Sequence, residues 1–193
     1  MLDILSNGRL NFGAGRGIIP KHFEGFCVDQ SENRARYEES LEIIRRAWTE
    51  DPFEYKGTYW QVPPLSVGPK PVQKPHPPIY RGTLSRESFE GAGKVGDNAF
   101  IAPWLSGTHP EVRSRLDHYR ATLKEHGHKT TRTTCIFFMF VNNDHQEAIR
   151  DAVTTTRAYT ELITSFVPRK ALNQVPTNDP MRSYLEFILS MPD

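Results

Sequence analysis

The sequence predicts an α/β fold built on a parallel sheet, and three observations carry that expectation. Strand-like and helix-like segments alternate four times, as they must when each parallel strand is joined to the next by a helical crossover. The strand-like segments run out into glycine or serine, as at Gly13-Ala14-Gly15-Arg16-Gly17, Gly82-Thr83-Leu84-Ser85 and Ser106-Gly107. The run Thr133-Thr134-Cys135-Ile136-Phe137-Phe138-Met139-Phe140-Val141 is apolar on both faces, as strands covered by helices on both sides are. Alternation alone leaves a doubly wound sheet and a closed barrel both open. In either, function sits at the carboxyl ends of the strands.

Bulk properties narrow the function classes. A chain of 193 residues suits one domain or a little more. Lys+Arg 24 against Asp+Glu 23 offers no electrostatic case for nucleic acid or an anionic membrane. Cys27 and Cys135 lie far apart without metal-like spacing and read as reduced core thiols of a cytoplasmic protein. No apolar run approaches the roughly 20 residues of a membrane span, and no signal peptide precedes the first motif. No internal repeat or low-complexity tract is visible.

Taken in order, the elements begin with a turn at Asn7-Gly8 and a short strand from Arg9 to Phe12, where polar and apolar residues alternate. Gly13, Gly15 and Gly17 then clear side chains from alternate positions, so backbone can approach a ligand, and Arg16 brings a planar fork of donors suited to phosphate. A dinucleotide fingerprint would run straight into a helix, but Pro20 interrupts, and no G-K-S/T follows to make a P-loop. A glycine-rich surface turn with a solvated arginine is the plainer alternative.

Asp29 followed by Glu32 is a capping-box pattern that starts a helix. Tyr37, Leu41, Ile44 and Trp48 form its buried stripe, and Arg34 falls on the same stripe. A guanidinium on the core side of a helix, near its positive end, calls for an anion. The alternative is an arginine that snorkels or pairs with Glu38. Residues 50–78 read as an irregular insertion: Phe53-Glu54-Tyr55 and Tyr59-Trp60-Gln61 pair as a hairpin, and the proline-rich run Pro63 to Pro78 is extended, or a ligand for a polyproline-binding partner.

The next strand, Ile79-Tyr80-Arg81-Gly82, leads to Ser85 as N-cap of a helix with Phe89, Ala92 and Val95 inward. Gly82, the Ser85 and Ser88 hydroxyls and the helix N–H groups together make an anion site, or else an ordinary serine cap. A short buried strand from Asp97 to Ala102 exits at Trp104. Thr108 to Glu111 then opens a helix with Val112, Leu116, Tyr119 and Leu123 inward, closed by Gly127. His126 and His128 beside that glycine complement the helix dipole, and no metal site is expected there. Asp144 and Glu147 cap a further helix with Ala148, Ala152 and Val153 inward, and a short helix around Tyr184 ends the chain.

Several ordered motifs coincide with those of one family. Leu2-Asp3-x-Leu5-Ser6-x-Gly8-Arg9, Gly13-x-Gly15-Arg16-Gly17, Phe26-x-Val28-Asp29 with Arg34, Pro69 to Ile79, and Ser85-Arg86-Glu87-Ser88 resemble the bacterial luciferase-like flavin monooxygenases, over residues 2 to about 150. The resemblance selects a TIM (β/α)8 barrel. A barrel needs eight units and about 250 residues, so only part of one, about four βα units in a single domain spanning 1–193, is expected. Set against the family, the chain starts inside the fourth unit and stops before the last strand, as a fragment or misannotated reading frame would. Two exposed strand edges must then be covered by a partner or remain sticky.

The resemblance implies reduced FMN, supplied by a separate flavin reductase, and O2, one atom of which enters a small organic substrate. It places Arg16, Arg34, Ser85 and Ser88, with Gly82, around the FMN phosphate, and Trp104 along the flavin ring, where rim packing is the alternative. No catalytic acid or base can be named, because the family's substrate-side residues belong to units this sequence lacks. A homo-oligomer is expected. The other readings are a deazaflavin-dependent hydride-transfer oxidoreductase on the same barrel and an inactive remnant.

Overall fold

The computed structural model describes residues 1–17, 19–103, 109–129 and 131–165. The elements are α1 (Leu2–Leu5), β1 (Phe12–Ala14), α2 (Pro20–Gly25), a 3-10 turn (Gln30–Glu32), α3 (Asn33–Thr49), β2 (Phe53–Lys56), β3 (Gln61–Leu65), β4 (Ile79–Thr83), α4 (Arg86–Val95), β5 (Asn98–Ile101), α5 (His109–Glu125), β6 (Thr133–Cys135) and α6 (His145–Ser165). They fall into two compact units. One comprises Met1–Ile18 and His22–Arg81, the other Ile19–Lys21 and Gly82–Asp193. Strand β4 runs from the first into the second.

In the first unit, β1 pairs in parallel with β4, Phe12 opposite Ile79 and Ala14 opposite Arg81. Asn7 and Gly8 both take positive φ, as the turn reading requires. The strand, however, starts at Phe12 rather than Arg9. The Arg9 backbone N–H and side-chain Nε donate to the Ser6 hydroxyl and carbonyl, so local turn bonds claim the residues before it. Two short helices went unread. In α1 a run of four residues is too short to show a periodicity. In α2, Pro20 opens the helix, where its missing N–H costs nothing.

Asp29 caps the 3-10 turn by accepting from Ser31 N–H at 2.8 Å, and the chain then enters α3. Glu32 does not complete a capping box but pairs with Arg36 one turn on. Leu41 is buried, and Trp48 meets the Phe12 ring edge-on at 5.1 Å, fixing α3 over β1. A β2–β3 hairpin forms, antiparallel, with Lys56 opposite Gln61 and Phe53 opposite Leu65, but its second strand is Gln61–Leu65 rather than Tyr59–Gln61, so Tyr59 and Trp60 belong to the turn. Glu39 of α3 holds its tip by accepting from the N–H groups of Thr58, Tyr59 and Trp60, while the Arg36 guanidinium lies 4.4 Å from the Tyr59 ring centre.

In the second unit the core is Phe89 and Ala92 of α4, Ala99 and Ile101 of β5, and Tyr119 and Leu123 of α5, with Val112 and Leu116 packed against it. The α5 stripe read from the sequence is therefore present, and the α4 stripe is present at Phe89 and Ala92. Tyr119 carries its polar end inward and satisfies it by donating to the Asp97 carbonyl at 2.6 Å and meeting the Thr131 hydroxyl. Gly96 closes α4 in the left-handed conformation, and Gly127 also takes positive φ beyond α5. The Thr83 hydroxyl donates to the Phe100 carbonyl, and β5 pairs in parallel with β6.

Three apolar assignments need correction. Val95, on the last turn of α4, is exposed, because the inward stripe ends at Ala92. Val153 is exposed on α6 for want of a covering layer among the described residues. The strand expected over Thr133–Val141 pairs only at Thr133–Cys135, and Ile136 to Met139 and Val141 are exposed. Cys27 and Cys135 are exposed free thiols rather than core residues. The short helix around Tyr184 lies outside the described residues. Among those residues, no helix is long and apolar enough to cross a membrane.

Candidate functional site

Strand exits in both units carry the residues singled out by the sequence. In the first unit, Gly13 and Gly15 stand where an added Cβ would meet nothing within 4 Å, so the segment offers open backbone. Gly17, at φ +80°, packs against the Phe23 ring, 3.2 Å from where its Cβ would be. Arg16 is half-buried between those glycines. The Tyr37 hydroxyl of α3 donates to the Ala14 carbonyl at 3.2 Å, tying the first turns of α3 to the end of β1.

Arg34, one turn before Tyr37, departs from expectation. It is exposed rather than part of the buried stripe, and it keeps its hydration. Nor does it pair with Glu38. That carboxylate is taken by Arg81, whose Nη1 and Nη2 donate to its two oxygens at 2.8 Å each. Among the described residues Arg34 has no ion-pair partner, so its fork of donors faces solvent at the positive end of α3.

Arg81 is the residue that reading from the sequence missed. It is 3 % exposed while Glu38 is 47 % exposed, and its guanidinium carbon lies 5.5 Å from the Tyr37 ring centre. The signal was present: an arginine inside the otherwise apolar strand Ile79-Tyr80-Arg81 cannot be buried without a partner.

In the second unit, Gly82 is exposed and Ser85 caps α4, its hydroxyl accepting from Ser88 N–H at 3.4 Å. The Ser88 hydroxyl donates to the Ser85 carbonyl at 2.7 Å and accepts from Leu84 N–H at 2.9 Å. Its proton is thus committed to the cap, whereas the Ser85 hydroxyl accepts there and retains its own proton to donate. The Arg115 guanidinium donates to the Leu84 carbonyl at 2.8 Å and braces the same junction from α5. Gly82, Ser85 and Ser88 are therefore gathered at one strand–helix junction of the second unit, while Arg16 and Arg34 stand at one strand–helix meeting of the first. Trp104 lies outside the described residues.

A family model described as luciferase-like monooxygenase matches residues 1–184. The chain belongs to that family. The oxygenase component of the flavin-dependent trigonelline monooxygenase of Acinetobacter baylyi is 32% identical to the luciferase-like chain over 127 residues, 65% of this chain and 35% of that protein. The FMNH2-dependent dimethylsulfone monooxygenase of Pseudomonas putida is 30% identical over 131 residues, 66% of this chain and 35% of the relative. Among solved structures, the monooxygenase RslO1 from Streptomyces bottropensis superposes with a TM-score of 0.81 at 29% identity, covering 97% of this chain and 60% of that one. The chain thus spans about a third of the length of these curated relatives. Its parallel α/β architecture is the luciferase-like barrel in part, with four strand–helix units among the described residues.

Proposed function

We propose that the chain carries the phosphate end of the cofactor site of an FMN-dependent monooxygenase. It would act as an oxygenase component that receives reduced FMN from a separate flavin reductase. The observation that carries this reading is Arg34: exposed, without an ion-pair partner among the described residues, and one turn from the Tyr37 bond that anchors the chain just before Arg16. Family membership supports it, as do the two relatives, one an oxygenase component and the other FMNH2-dependent by name.

Each unit offers donors suited to a phosphate dianion. In the first, the Arg16 and Arg34 guanidinium groups would supply charge-assisted hydrogen bonds, and in the second the Ser85 hydroxyl and the first N–H groups of α4 would supply neutral ones. Ser88 acts through the cap, holding Ser85 and Leu84 in place, and the side-chain-free surface at Gly82 leaves room for the ligand. The flavin supplies the redox chemistry with O2 and an organic substrate, while these residues bind and orient it. The free thiols of Cys27 and Cys135 support a cytoplasmic setting, and the exposed apolar run after β6 supports a homo-oligomer.

Titration of the chain with FMN and with riboflavin, followed by flavin fluorescence, tests the reading. Arg16→Ala and Arg34→Ala should each weaken FMN binding by about 1.5–3 kcal/mol, the worth of charge-assisted hydrogen bonds. Riboflavin, which lacks the phosphate, should be indifferent to both. Equal losses for the two ligands would remove the arginines from the phosphate.

A further inference from the structure

Three elements of the first unit are tied by one polar network. Arg81 of β4 is 3 % exposed and grips both oxygens of Glu38 at 2.8 Å. The same guanidinium sits 5.5 Å from the ring centre of Tyr37, next to Glu38 on α3. The Tyr37 hydroxyl reaches the Ala14 carbonyl of β1 at 3.2 Å. Burying a guanidinium is costly even when it is paired, and an apolar strand residue would pack there at no such cost. What the network supplies instead is geometry: a bidentate fork and a directed hydroxyl fix α3 in rotation and height against β1.

Gly13 and Gly15 have no side chains to pack, and the open space beside them offers none to pack against. Around Arg16, the chain is anchored by the Tyr37 bond to Ala14 before it and by Phe23 against Gly17 after it. Arg34 precedes Tyr37 by three residues and Glu38 by four, so the contacts that seat this turn of the helix also set where Arg34 emerges.

We infer that Tyr37, Glu38 and Arg81 are positioning residues that hold Arg16 and Arg34 in place for a phosphate before the ligand arrives. The inference rests on the reading that those two arginines take the phosphate. Ordering them in advance removes part of the entropic cost of binding, so the network acts on phosphate-bearing ligands and leaves others alone. None of the three residues needs to touch the ligand.

Tyr37→Phe is the cleanest probe, since it keeps the ring beneath Arg81 and deletes only the hydroxyl. FMN and riboflavin are titrated against the 193-residue chain as wild type, Tyr37→Phe, Arg16→Ala and the double variant, with circular dichroism melts confirming folding. The dissociation constant for FMN should rise about 3–10-fold in Tyr37→Phe, the worth of one hydrogen bond, and that for riboflavin should hold within about 2-fold. In the double variant the two losses should fail to add, because Tyr37 acts through the segment bearing Arg16. Arg81→Lys, which keeps the charge but loses the fork, should repeat the FMN-selective loss. Additive losses, or equal losses for both flavins, would overturn the inference; the phosphate reading would survive if Arg16→Ala alone stayed selective for FMN. If Arg16→Ala were unselective, or the wild type bound neither flavin, the phosphate reading would fail and this inference with it.

Discussion

At the scale of single residues, glycine serves opposite purposes at a strand exit and inside a helix. At Gly15 an added Cβ would meet nothing within 4 Å, so the missing side chain is a matter of access rather than packing. At Gly93 a Cβ would lie 2.9 Å from the Thr122 Cβ and 3.1 Å from the Tyr119 carbonyl oxygen, across the α4–α5 contact. The second of those atoms is backbone and cannot swing away, so the helices would have to separate beside the buried Phe89 and Tyr119. Gly93→Val should therefore destabilise the chain by about 1–3 kcal/mol, as overpacking of a close-packed interior does. A urea melt measures this, and an unchanged midpoint would show that α4 and α5 have slack the distances deny. Nothing in the sequence marks one glycine as an opening and the other as a helix contact, since both are read only against neighbours far along the chain.

At the scale of elements, one buried carboxylate ties the first helix to the least regular stretch of the first unit. Asp3 of α1 is 2 % exposed and accepts from the backbone N–H of Gln73 at 2.9 Å and from its Nε2 at 2.7 Å. The same Nε2 donates to the Leu10 carbonyl at 2.8 Å, so one glutamine joins α1, the approach to β1 and the proline-rich segment. Burial pushes the Asp3 carboxyl up, but the Gln73 hydrogen bonds outweigh it and hold it below the ordinary aspartate value. A carboxyl lowered on folding stabilises the folded state above its unfolded value near 3.9 and loses that contribution as pH falls through its folded value. Acidification through and below the ordinary aspartate range should thus weaken the wild type more steeply than Asp3→Asn, as urea melts at stepped pH would reveal. Parallel slopes would mean that Asp3 does not carry the acid sensitivity. The family motifs contained both residues, yet nothing local indicated that they meet. Elements with their own periodicity or caps were legible: the β2–β3 hairpin, the Ser85-capped α4 and the α5 stripe to Leu123. Those set by distant partners, Arg81 with Glu38 and Asp3 with Gln73, were not.

At the scale of the molecule, strand–helix alternation was enough to predict a parallel α/β architecture, because crossovers leave few alternatives, and the ordered motifs narrowed it to one family. The polarity of the run after β6 misled for a related reason. Apolar residues on both faces announce that a strand is to be covered, but not by what, and coverage is a property of the assembled layers. Among the described residues the run is open: Phe137 is 64 % exposed, Met139 79 % and Val141 87 %. Phe138 meets the Tyr159 ring on α6 edge-on at 5.3 Å, and α6 itself shows Ile149 and Val153 to solvent. Apolar exposure of this extent exceeds what scattered surface residues present and binds apolar probes. The chain should therefore enhance the fluorescence of an apolar dye such as anilinonaphthalene sulfonate while fully folded. Replacing Phe137 and Met139 together with serine should remove most of that signal. Because both side chains are already in water, the unfolding free energy should change by no more than about 0.5 kcal/mol. A dye signal that survives the double substitution would place the sticky surface elsewhere. A large loss of stability would mean that these side chains are covered in solution, and that the face after β6 is an interface already filled.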